Sequence, residues 1–279
     1  MLGKLIKHEL AATGRMLLPM QGILLIISVI GFLLLNLKVF DEHVEIGITM
    51  FMFYIFFIFA IAVATQIYLA VRFYKNLFTD EGYLSFTLPV KPYMHLVSKG
   101  ICMAIWQTVN VAMTVISVCI LLLYQNFLGE FISVCSELDW GFLNDIGLSF
   151  PGIIGFGIGF YIISEIFSIT TVFISVCIGQ LANTYKAAAS IIAYVVIQVC
   201  YQIIASIVTS VTMVGDMFSI TSDVMYEEMV ARYGEIELIR SVVDMYIHTF
   251  LSVMIISGVL SIIFYIASHI IVSKRVNLQ

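Results

Sequence analysis

The chain has 279 residues, 61% of them apolar and 11% charged, with a mean hydropathy of +1.07 and a net charge of −5. A soluble domain is about 45–50% apolar and about 25% charged, so a water-soluble enzyme and a nucleic-acid-binding domain are both excluded. With 13 Lys and Arg against 18 Asp and Glu, there is no basic block for a polynucleotide, and lipid is the expected solvent.

Residues 1–16 open the chain as an amphipathic helix. Leu2, Leu5, Ile6 and Leu10 share one face, and Lys4, Lys7, His8 and Arg15 share the other. Such a helix suits the membrane interface, with Lys4, Lys7 and Arg15 against inner-leaflet headgroups; the alternative is that its cations serve only as a topogenic signal. The basic start followed by an apolar run also suits a signal peptide. The run 17–37 is too long for that and no A-x-A site follows, so a retained span is expected.

Six runs are long enough to cross a hydrocarbon core of about 30 Å as helices: about 17–37, 46–71, 100–124, 152–179, 187–212 and 246–272. They are continuous rather than alternating, which favours helices over a β-barrel. The fold class expected is therefore an all-α integral membrane protein with one domain, 1–279. Ten of the 13 Lys and Arg fall on the side that carries both termini. The positive-inside rule then makes both termini cytoplasmic, in the plasma membrane. Fourteen of the 18 acids fall in the three outer segments. The longest outer segment, 213–245, contains a stretch of helical spacing, 223–240, that fits a helix on the outer surface.

The cytoplasmic segment 72–99 reads RFYKNLFTDEGYLSFTLPVKPYMHLVSK. Asp80 and Glu81 suit the start of a short helix. Pro89 and Pro92 end it and restart the chain. The stub between exposes Tyr83, Leu84 and Phe86, with Phe78 just before it, and such knobs need a groove or a lipid interface.

Asp80-Glu81-Gly82, the apolar stub, Leu88-Pro89-Val90, Lys91 and Ser98-Lys99 together resemble the coupling loop of ABC-transporter permeases of the type-2 exporter class. The opening LGKLIKHELAATGR also resembles that family's N-terminal cytoplasmic helix. The resemblance covers the layout of the whole chain but only about 45 residues in motif. It implies an ATPase partner subunit engaged by Phe78, Asp80, Glu81, Tyr83, Leu84 and Phe86, and a second permease half, identical or sibling. It implies no cofactor on this chain, with ATP and Mg on the partner. No GxxxxGK[ST] occurs here, in keeping with ATP hydrolysis on another polypeptide.

Glu165 is the acid deepest within a span. It lies 13 residues beyond Gly152, roughly 20 Å at the helical rise. An intramembrane carboxyl either lines a path, where it could meet a cationic substrate, or locks helix packing, with Gln66, Gln198 or Gln202 as possible partners. Gly155 and Gly159 have the small-xxx-small spacing that lets helices approach closely. Four of the five cysteines (Cys102, Cys119, Cys177, Cys200) lie in apolar runs as small hydrophobes; Cys135 is the exception. His248 and His269 lie near opposite ends of the last span and read as interface residues rather than metal ligands, since no second ligand is spaced to join either.

Two other readings fit parts of the sequence. An ATP-independent carrier, or an immunity or sensor protein, would share the spans without needing the loop motif. Glu227-Glu228-xxx-Arg232 matches the EExxxR signature of CaaX-protease-like membrane enzymes. That family also needs a His four residues after a Phe, and none of the five histidines meets the requirement.

Overall fold

The computed structural model describes residues 2–37, 44–78, 92–124, 127–137, 140–182, 185–222 and 226–275. Every regular element among them is an α-helix: α1 (Leu2–Asn36), α2 (Val44–Phe78), α3 (Pro92–Leu122), α4 (Phe127–Glu137), α5 (Trp140–Asp145), α6 (Phe150–Gly179), α7 (Lys186–Ser222) and α8 (Tyr226–Arg275). Six of these, α1, α2, α3, α6, α7 and α8, are long and apolar enough to cross a membrane.

The helices overrun the apolar segments. The stretch before residue 17 is the first part of α1 itself and continues through Pro19 without a break. Proline removes one i→i−4 bond, which is the cost of carrying it inside the helix. The expected loop 72–99 is helical to Phe78 and again from Pro92, where proline suits a helix start. Likewise α7 runs on to Ser222 and α8 begins at Tyr226, so much of the segment 213–245 is helical. Polar residues at helical spacing extend these helices past the apolar window that marked them.

The chain divides into two compact units, Met1–Leu138 with Ser273–Gln279, and Asp139–Val272. In the first, the buried residues of α1 are Thr13, Gly14, Leu17, Gln21, Leu24 and Ser28. Steps of three and four place them on one stripe. That stripe meets α3 through hydrogen bonds at a constant offset. Gln21 Nε2 donates to Asn110 Oδ1 at 2.9 Å and Ser28 bonds Ser117 at 2.6 Å, each pair 89 residues apart. A constant difference in residue number means that α1 and α3 run parallel and in register. Between α2 and α3 the pairs Tyr54–Ser117 and Gln66–Gln107 run the opposite way, so α2 is antiparallel to both. Ile61, Thr65, Leu69, Phe73 and Leu77 recur every four residues as the buried stripe of α2.

The first unit buries a polar seam among apolar side chains and is apolar outside. Its seam holds threonine, glutamine and serine, while Met16, Leu18, Ile23, Ile26, Ile30 and Leu33 of α1 are exposed. Gly14 belongs to the packing: a Cβ there would lie 3.3 Å from the Trp106 ring. The indole rests on α1 at that point and donates from Nε1 to Thr13 Oγ1 at 2.7 Å.

The second unit has the same up–down–up order. Ser149 caps α6 by accepting from the Gly152 amide at 3.2 Å, with Pro151 in the first turn. Phe167 meets Tyr201, ring centroids 4.3 Å apart, and Gly179 meets Ser190, so α6 and α7 are antiparallel. A Cβ on Gly179 would fall 2.6 Å from the Ser190 backbone nitrogen, so only glycine permits this approach. Tyr185 completes the turn in the left-handed region, with φ 55°. Tyr201 bonds Ser257 at 2.9 Å and Thr212 donates to Thr249 at 3.3 Å, which sets α8 antiparallel to α7. Phe160 against Phe250 and Phe167 against Phe264 set α8 parallel to α6.

Candidate functional site

The densest polar constellation among the described residues is at one end of the first unit. It forms around Glu9, an acid on the apolar stripe of an otherwise basic amphipathic stretch. Leu5 and Ile6 lie one turn before Glu9 and Thr13 one turn after, so the helix aims Glu9 inward with them. Arg72 Nε donates to Glu9 Oε2 at 3.0 Å, and Asn76 Nδ2 donates to Oε1 at 2.6 Å. Lys99 Nζ donates to the same Oε1. Arg72 and Asn76 are one turn apart on α2, and Lys99 is on α3. One carboxylate therefore ties three helices together.

The pairs are shielded. Side-chain exposure is 14% for Glu9, 10% for Lys99 and 26% for Arg72. Two cations facing one anion leave the cluster with a formal charge of +1. Burying Lys99 is tolerable because Glu9 accompanies it; without that carboxylate the ammonium would stand desolvated and unpaired. Leu69, Phe73, Cys102 and Met103 complete a cavity of about 20 Å³ beside the charges, room for one water molecule. His95, one turn before Lys99, is also buried.

The expected site residues fall in different places. Lys4, Lys7 and Arg15 are exposed, whereas Leu2, Leu5, Ile6 and Leu10 are half-buried, so the stretch is amphipathic as its spacing requires. Phe78 is half-buried at the end of α2, its ring edge-on to Phe73 at 6.3 Å. Asp80, Glu81, Tyr83, Leu84 and Phe86 lie outside the described residues, as does the coupling stub they compose.

Glu165 is half-buried on α6, and its Oε1 is buried without a hydrogen-bond partner among the described residues. The glutamines considered as its partners bond elsewhere or face outward. Gln66 accepts from Gln107, Gln198 donates to the Tyr194 hydroxyl at 3.2 Å, and Gln202 is exposed. The small-residue spacing on α6 is used only in part within the chain. Gly159 faces Met254 Cε at 3.7 Å, whereas Gly155 and Gly157 face open space. Among the described residues no group of three or more His, Cys, Asp or Glu could hold a metal ion.

Glu9 is not among the residues that the sequence singles out. The signal was present: a lone carboxylate at apolar spacing, with Arg72 and Lys99 each just outside the end of an apolar run. Comparison with known proteins finds no matching family model, no similar curated protein and no similar solved structure.

Proposed function

We propose that this chain is the membrane-spanning permease subunit of an ATP-driven exporter of the ABC type-2 class. In this reading the six long helices cross the plasma membrane, both termini are cytoplasmic, and the first turns of α1 lie against the inner leaflet. The apolar exterior of the first unit, with hydrogen-bonded polar pairs kept inside it, supports lipid as its solvent, because in lipid helices associate through hydrogen bonds and close packing. A second permease half and a separate ATPase carrying ATP and Mg complete the assembly.

One observation carries the coupling assignment. Arg72 and Lys99 are the two ends of the segment 72–99, and Glu9 holds both. A push delivered to residues 79–91 by a nucleotide-driven partner would therefore reach α1, α2 and α3 together. Phe78, Asp80, Glu81, Tyr83, Leu84 and Phe86 are assigned to the ATPase contact, and Lys4, Lys7 and Arg15 to the headgroups. Glu165 is assigned to the translocation path, where a carboxyl oxygen without a partner can meet a cationic group on the cargo.

The test is co-purification from the native membrane in mild detergent, beside a Glu81→Ala, Phe86→Ala variant. A stoichiometric partner with a Walker motif, lost in the variant, is the expected result. A folded chain that brings down no ATPase would sink the reading. The second reading, an ATP-independent carrier, draws on Glu165 alone. It requires function to survive scrambling of residues 78–91, which the permease reading forbids.

A further inference from the structure

The interior of the first unit has a second polar layer, further along the seam from Glu9. It contains three oxygens with no partner among the described residues: Gln21 Oε1, Thr65 Oγ1 and Gln107 Oε1. Gln21 and Thr65 are each only 1% exposed, so water outside the unit does not reach them. Buried polar groups left unpaired are costly, and native proteins rarely leave several together.

The hydrogen-bond register places the three at one level. Gln21 is bonded to Asn110, and Gln107 precedes Asn110 by three residues, about 4.5 Å along α3. Gln107 is in turn bonded to Gln66, the neighbour of Thr65 on α2. All three helices thus contribute one unpaired oxygen within about one helical turn.

Thr65 differs from the other hydroxyls of these helices. Thr13, Ser28, Thr49 and Thr114 each return a hydrogen bond to a carbonyl of their own helix, and Ser117 bonds Ser28 and Tyr54. Thr65 makes no such bond, so its proton is free for a guest inside the unit.

We propose that this layer is a binding site for one internal water molecule, held by Gln21, Thr65 and Gln107. The donor and acceptor count fits water. Its two protons satisfy the two amide oxygens, and one of its lone pairs accepts the Thr65 hydroxyl proton. A monovalent cation would satisfy the oxygens but leave the Thr65 proton without an acceptor. The site joins α1, α2 and α3 at a second point, independent of the ion cluster and of the transport reading.

The sign of one substitution tests it. Thr65→Val keeps the side-chain shape and removes only the hydroxyl. If the hydroxyl is bonded to water, thermal unfolding of the full chain in detergent falls by about 2–4 °C, as for loss of one net hydrogen bond. The drop should be equal in sodium and in potassium. An unchanged or raised melting temperature in Thr65→Val means an unsatisfied hydroxyl was removed, and overturns the site. Stabilisation by sodium that is lost in Thr65→Val overturns water in favour of a cation. If Thr65→Val does not fold, a density map of the wild-type chain fine enough to show waters decides, with a peak expected among the three side chains and its absence refuting the site.

Discussion

Glu9 and Gly179 show how much single positions decide in a chain this apolar. Replacing Glu9 by Gln preserves shape and the Asn76 contact but leaves Lys99 buried with no counter-charge. Breaking a shielded pair from one side costs about 3 kcal/mol. Glu9→Gln should therefore lower the unfolding temperature measurably in detergent, with Glu9→Asp intermediate. Gly179→Ala should cost about 1–3 kcal/mol by overpacking, because the new Cβ meets backbone of Ser190 rather than a movable side-chain tip. The same thermal scan reads it. Glu9 was readable as an oddity, an acid at apolar spacing, but its partners sit 63 and 90 residues away and follow from helix register alone. Gly179 carries no readable signal, since a glycine after an apolar run is an ordinary helix ending.

The six apolar helices were legible because 20 or so uninterrupted apolar residues admit few other structures. Their ends were not. Hydropathy windows stop where charge appears, whereas helices stop where backbone bonding does, so α2 carries on to Phe78 and α7 to Ser222. Pairing was also hidden. Thr13 lies before the first apolar run and Gln21 and Ser28 are isolated polar residues within it, and only the shared offset of 89 residues makes them rungs of a parallel seam. That register makes a prediction. In a cysteine-free background, Gln21→Cys with Asn110→Cys, and Ser28→Cys with Ser117→Cys, should crosslink under mild oxidation. The crossed pair, Gln21→Cys with Ser117→Cys, should not. Crosslinking of the crossed pair would mean α1 and α3 slide by about two turns.

Across the whole molecule, the orientation assigned from charge is open to direct measurement. A cysteine replacing Asp145 should react with an impermeant maleimide on intact cells, and one replacing Tyr185 only after permeabilisation. The reverse pattern would invert the topology and move the segment 72–99 away from any cytoplasmic ATPase. The parallel seam also has a consequence in time. The partners Gln21 and Asn110 are 89 residues apart. At about 5–20 residues per second, α3 leaves the ribosome roughly 4–18 s after the matching part of α1. Throughout that interval Thr13, Gln21 and Ser28 have no α3 to bond. The Glu9 contacts to Arg72 and Asn76 of α2 are thus available first, and the parallel seam is the last part of the three-helix packing that synthesis makes possible.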